Sequence, residues 1–121
     1  MSVSMPKRSF DWLPVAAAAL LLVGCAKAPD TSAVDAKKDA AGREAYERIG
    51  CGRCHGSLSG GGGQAPNLSK VGADPQHTVT WLADHIRTPQ THTPNSAMTA
   101  YGDQISDADL DALSAMLSRM K

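Results

Sequence analysis

Five consecutive residues, Cys51-Gly52-Arg53-Cys54-His55, have the types and spacing to do chemistry together. They spell C-x-x-C-H, the pattern of a c-type haem attachment site. Two thiols must reach the two vinyl groups on one edge of a porphyrin, and the next residue must bring an imidazole under the iron. Two intervening residues make one tight turn that allows both. Cys51 and Cys54 are therefore the expected thioether donors, and His55 the proximal ligand, a role His takes in many haem proteins. C-x-x-C alone also serves thioredoxin-like sites and half of a zinc site. A dithiol site would sit near a βαβ pattern, and no strand-rich stretch is visible. A zinc site needs two further closely spaced ligands. There is no second cysteine pair, and His77, His85 and His92 do not supply that spacing.

The elements that must hold this motif are helices. A first helix is expected from about Asp39 to Ile49, capped by Asp39, with Gly42, Tyr46 and Ile49 on one face. Gly50 would end it and deliver the chain to Cys51. A middle helix should start near Thr78 and stop before Pro89, because the residue before proline avoids the helical region. Val79, Leu82 and Ile86 make one face, with Trp81 and His85 on an adjoining one. The last helix is signposted by Ser106 as N-cap, Asp109 at its third position, and the stripe Leu110, Leu113, Met116, Leu117.

The 121 residues allow one domain plus a leader. Only 4% are aromatic, so a large apolar cofactor would complete a core that the side chains alone leave small. The formal charge is zero, which gives nucleic-acid binding no support. Cysteine is present three times, and the haem pair leaves Cys25.

The N-terminus accounts for that thiol. Lys7 and Arg8 precede an apolar run from Leu13 to Gly24 that suits a signal sequence and is short for a membrane span of ~20 residues. It ends Leu22-Val23-Gly24-Cys25, which resembles the bacterial lipobox. Residues 1–24 are thus expected to be a lipoprotein-type signal peptide, with lipid attached at Cys25. An ordinary signal with a coincidental cysteine and an uncleaved anchor are the other readings. The expected location is outside the cytoplasm, lipid-anchored to a bacterial membrane, in the periplasm or on the outer face of the cytoplasmic membrane. Residues 25–39 lack an apolar period and read as a flexible tether. The stretch 26–40 would reach at most ~50 Å when fully extended.

From residue 40 to residue 121 the sequence resembles the class I cytochromes c, small all-helical electron carriers. The resemblance implies an all-α fold of three or more helices around one covalently bound haem c (heme c). It implies that Gly42 and Tyr46 pack against the last helix, which makes Met116 a core residue. Ala65-Pro66-Asn67-Leu68 resembles the family's G-P-x-L segment. There the proline carbonyl accepts the proximal histidine's N–H, so Pro66 would orient His55 and Leu68 would cover the haem face. A Trp such as Trp81 packs near the haem in similar cytochromes. A loop methionine before the final helix is their distal ligand, and Met98 is the one mature-chain methionine so placed. Here Thr99 follows it where Pro is common. His77, His85 and His92 are the rivals for that sixth position. The W-x-x-x-H-I-x-x-P segment and the following P-x-S-x-M also resemble oxidase-associated cytochrome c domains.

The resulting expectation is a membrane-tethered carrier of single electrons between redox partner proteins, not an enzyme. A haem subunit of a larger oxidoreductase complex and an open-coordination haem enzyme or gas sensor are the alternatives.

Overall fold

The computed structural model describes residues 30–121. The signal peptide expected over residues 1–24 and the lipidation site expected at Cys25 lie outside the described residues. What is described is all-helical, with four α-helices and short 3-10 turns and no strand. Helix α1 runs Thr31–Ile49, α2 Gly52–His55, α3 Val79–Arg87 and α4 Asp107–Arg119.

Helices α1 and α4 form the frame. The sequence stripe on α4 is buried throughout: Leu110, Leu113, Met116 and Leu117 are each no more than 5% exposed. Met116 is core, as its place in the stripe implied. Ser106 caps α4 by accepting the Asp109 N–H and also donates to the Asp109 carboxylate at 2.7 Å. On α1 the buried residues are Gly42, Ala45 and Tyr46. At Gly42 the two backbones approach so closely that a Cβ would lie 2.6 Å from the Ala112 carbonyl oxygen and 2.7 Å from the Met116 Cβ. The residue type is fixed by the approach of the neighbouring helix.

Helix α1 begins at Thr31, not at Asp39. Asp30 caps it by accepting from the Ser32 N–H at 3.1 Å. The segment expected to be a flexible tether over 25–39 is therefore helical from residue 31 on. Two physical causes act. Its residues, TSAVDAKKD, include the good helix formers Ala33, Ala36, Lys37 and Lys38 and no Gly or Pro. Its polar side chains also pair with α4: Lys38 with Asp111 at 2.7 Å, and Arg119 with Asp35 at 3.6 Å and with Asp39. Each partly exposed pair is worth ~0–1 kcal/mol. This arm buries no large apolar side chain, and Val34 is 52% exposed. That explains why it carries no apolar period.

Helix α3 starts and stops where expected. Thr78 accepts the Trp81 N–H at 3.2 Å, and Pro89 follows one residue after Thr88. Leu82 and Ile86 are buried. Val79, expected on the same face, stands at the first position of the helix and is 40% exposed. No described helix is long and apolar enough to cross a membrane.

Gly42→Ala tests the frame. Alanine gains up to ~1 kcal/mol of helix propensity, but here its methyl must displace backbone. We expect a net loss of about 1–3 kcal/mol, the usual cost of overpacking, read as a lower denaturation midpoint with unchanged denaturant slope.

Candidate haem site

Helix α2 is one turn long and cannot stand by itself, since a single turn fixes many dihedrals for few bonds. Neighbouring contacts hold it. Gly50, in the left-handed region at φ 84°, ends α1 and turns the chain. The Cys51 N–H then donates to the Tyr46 carbonyl at 3.1 Å. At the other end, the Tyr46 hydroxyl donates to the Gly56 carbonyl at 2.7 Å. The Gly60–Gly63 run folds back over the motif. A Cβ on Gly63 would run into the Cys54 carbonyl, and the Ala65 N–H donates to that carbonyl at 2.9 Å. The low-complexity glycines are thus a close backbone-on-backbone contact beneath the motif.

The motif faces a cleft lined by Tyr46, Ile49, Cys51, His55, Leu68, Ile86, Met98, Tyr101, Ile105, Leu113 and Leu117. It encloses about 320 Å³ including its open mouth. His55 and Met98 thus meet at one cavity although 43 residues separate them in sequence. The His55 ring is oriented by its Nδ1, which lies 2.7 Å from the Pro66 carbonyl oxygen. Nδ1 is then the donor, and Nε2 keeps its lone pair. Met98 is held by a loop that bonds to itself. The Ser96 N–H donates to the Thr93 carbonyl at 2.9 Å, and the Met98 N–H to the Ser96 hydroxyl at 3.2 Å. The Tyr101 N–H, reaching the Ile86 carbonyl at 3.3 Å, ties this loop to α3.

A haem fits these residues on two counts. The lining is mostly aliphatic and aromatic, with an imidazole and a thioether as its metal-binding donors. Cys51 and Cys54 are free, not joined to each other. Cys51 lies in the wall, where burial pushes its thiol above the ordinary value.

The other expected site residues are placed as follows. Leu68 is in the cleft wall and also borders a shallower depression lined by Pro66, Asn67, Ser69, Lys70, Val71, Asp74 and His77. Pro66 therefore acts from behind His55. Trp81 is half-buried against the core but is not part of the cleft wall. It stacks instead on His85 and His92. Tyr101 lines the cleft, and burial raises its hydroxyl pKa, with Cys51 and Cys54 adding to the effect. The Tyr46 hydroxyl bond was not legible in the sequence. The i, i+4 spacing from Gly42 marks Tyr46 as core, and core position alone does not say where a hydroxyl points.

Tyr46→Phe keeps the packing and removes one bond. We expect a loss of about 0.5–1.5 kcal/mol in stability. Burial, then Cys51 and Glu47, push the Tyr46 hydroxyl up to about 12. The folded value is above the ordinary ~10, so stability is intact below that and declines as pH rises toward 12. An alkaline unfolding series should show this decline in wild type and a weaker one in Tyr46→Phe.

One family model matches the chain, over residues 37–117. It is described as cytochrome c oxidase, cbb3-type, subunit III. No curated protein and no solved structure matches. The match spans most of the described helices, including the motif, the cleft and the α1–α4 frame. The chain belongs to this family: it is an all-α, class I cytochrome c-like electron-transfer domain associated with oxidase, with a covalently bound haem c for which Cys51-Gly52-Arg53-Cys54-His55 fits the attachment motif.

Proposed function

We propose that this protein is a mono-haem electron carrier, tethered to a membrane by lipid at Cys25, with Cys51 and Cys54 as thioether donors and His55 and Met98 as axial ligands. The observation that carries the reading is the convergence of His55 and Met98 on one apolar cleft. The bond from His55 to Pro66 supports it, because it leaves Nε2 free and raises its basicity. When bound, the haem supplies a one-electron couple. His55 and Met98 would hold the iron between them and leave no position for a substrate. The Met98 thioether, once bound, would favour the ferrous state and raise the potential. Ile49, Leu68, Ile86 and Leu113 keep water from the cleft, and Tyr101 stands at its wall. No bond-making chemistry follows from this set, which supports a carrier role between redox partner proteins.

The helical arm alters the tether. Five residues lie between Cys25 and Thr31 and extend at most ~17 Å. Beyond them α1 lies against α4, with Asp35, Lys38 and Asp39 paired to that helix. A domain anchored at Cys25 would therefore be held on a short leash, exported and close to its bacterial membrane. The family's description favours a second reading, a haem subunit fixed in an oxidase complex. Native electrophoresis of gently solubilised membranes separates the two: haem stain near the mass of the free chain supports the carrier, and co-migration with an oxidase supports the subunit.

Met98→Ala should open the iron to carbon monoxide, move the spectrum toward high spin and lower the midpoint potential. Met116→Leu, a core swap worth under ~1.5 kcal/mol, should leave the spectrum unchanged. A Met98→Ala protein that stays low-spin and refuses carbon monoxide gives the sixth position to a histidine.

Cys25→Ser should release the domain from membranes into the soluble exported fraction while its haem colour remains. Fractionation with haem staining reads both at once. A variant bound as firmly as wild type removes the lipid anchor from the account.

A further inference from the structure

The charges of this chain are unevenly placed. Charged residues make up 20% of it. With histidine counted neutral, none of residues 54–69 and none of residues 88–102 carries a formal charge. At an ordinary density each segment would hold about three. Both segments reach the surface. Pro66 and Asn67 on the first, and Pro94, Asn95, Ala97 and Ala100 on the second, are exposed. Exposed positions are where charged side chains ordinarily stand.

The two segments meet at the cleft. The first brings His55 and Leu68 to its wall, and the second brings Met98 and Tyr101. Much of the charge is paired on the helices instead. Lys38 pairs with Asp111, Arg48 with Asp109, Arg119 with Asp39, and Arg87 with Asp107. Of the other charges that bound the two segments, Arg53 lies back against Gly50, where a Cβ would stand 3.0 Å from its Nε. Lys70 stands in the shallower depression, and Asp103 is exposed on the 3-10 turn Gly102–Gln104. An uncharged rim is dried at little cost. A partner that pressed charges onto it would bury them without counter-charges, which is strongly unfavourable. Redox encounters are small, under ~1,200 Å², so two loops bordering one cleft suffice for one.

We infer that residues 54–69 and 88–102 form a docking rim for a redox protein whose own contact face is uncharged. The encounter is then selected by shape and desolvation and is not steered by charge. This deepens the haem-carrier reading above and rests on it. One electron passes from the ferrous iron to the oxidised partner, and no proton or bond is exchanged.

The test uses the full-length holoprotein in an uncharged detergent and two small oxidants of opposite sign, ferricyanide and tris(phenanthroline)cobalt(III). Salt is raised from about 10 mM to 1 M, over which the Debye length falls from ~30 to ~3 Å. Oxidation of the ferrous protein should change by less than about threefold with either reagent. Larger changes, opposite in sign for the two, place charge at the site of transfer and overturn the inference. Asn67→Asp with Asn95→Asp adds one charge to each loop at unchanged size. A carboxylate at position 67 can still accept the Ser69 N–H, as Asn67 does at 2.7 Å. The double variant should stay low-spin, lose roughly fivefold in ferricyanide rate at low salt, and recover at high salt. A second copy of the chain carries an uncharged face, so ferrous–ferric self-exchange, read from proton NMR line widths, tests a protein partner. It should be insensitive to salt in wild type and slowed at low salt in the double variant. Self-exchange as fast in the double variant as in wild type puts the contact elsewhere and overturns the rim. If the double variant loses its low-spin spectrum, the wild-type salt profiles alone decide. A starting spectrum without covalent haem removes the carrier reading instead, before either oxidant is added.

Discussion

The turn Gly52–His55, entered from Cys51, brings Cys51 and His55 to the cleft wall with Cys54 exposed beside them, and one turn of helix has no stability of its own. Contacts around it supply that stability from outside. Tyr46 holds it at both ends, by its carbonyl at Cys51 and its hydroxyl at Gly56. The glycine run and Ala65 close on the Cys54 carbonyl. Pro66 then reaches His55 from the same loop. The loop that clamps the motif therefore also aims its imidazole. Side chains at Gly56 or Gly63 would meet backbone, so glycine is required by distance at these two positions, while Gly60 and Gly61 take positive φ.

Tyr46 can do this only because α1 lies against α4, and Gly42 sets that distance. Leu113 and Leu117 belong both to this helix contact and to the cleft wall. Core and cofactor site are thus one apolar body. Helix α3 contributes the Ile86 side chain to the wall, and the Ile86 carbonyl anchors the loop that carries Met98. His55 stands on a helix turn and Met98 on a distant loop, yet each is fixed by contacts to the same frame.

Much of this was legible in the residues. The motif, Gly50 as a stop, Thr78 and Ser106 as caps, and the α4 stripe all depend on local chemistry that sequence displays directly. The bond from His55 to Pro66 followed from resemblance. The N-terminal half of α1 was not legible, because periodicity reports burial and this arm is held by Asp35, Lys38 and Asp39 pairing with α4. Absence of an apolar stripe marked it as unburied, which is a different property from unfolded. The Trp81 cluster was half legible: His85 stands at i+4, but His92 arrives across a loop, and no spacing rule brings it to the same indole.

An electron carrier needs an iron whose ligands change little between oxidation states, and the account assigns that constancy to His55 and Met98 held by separate parts of one rigid frame. X-ray absorption at the iron edge of the exported, oxidised protein tests the assignment most directly. A six-coordinate iron with one sulfur ligand beside nitrogen is the expected result. A shell of nitrogen or oxygen alone would contradict it.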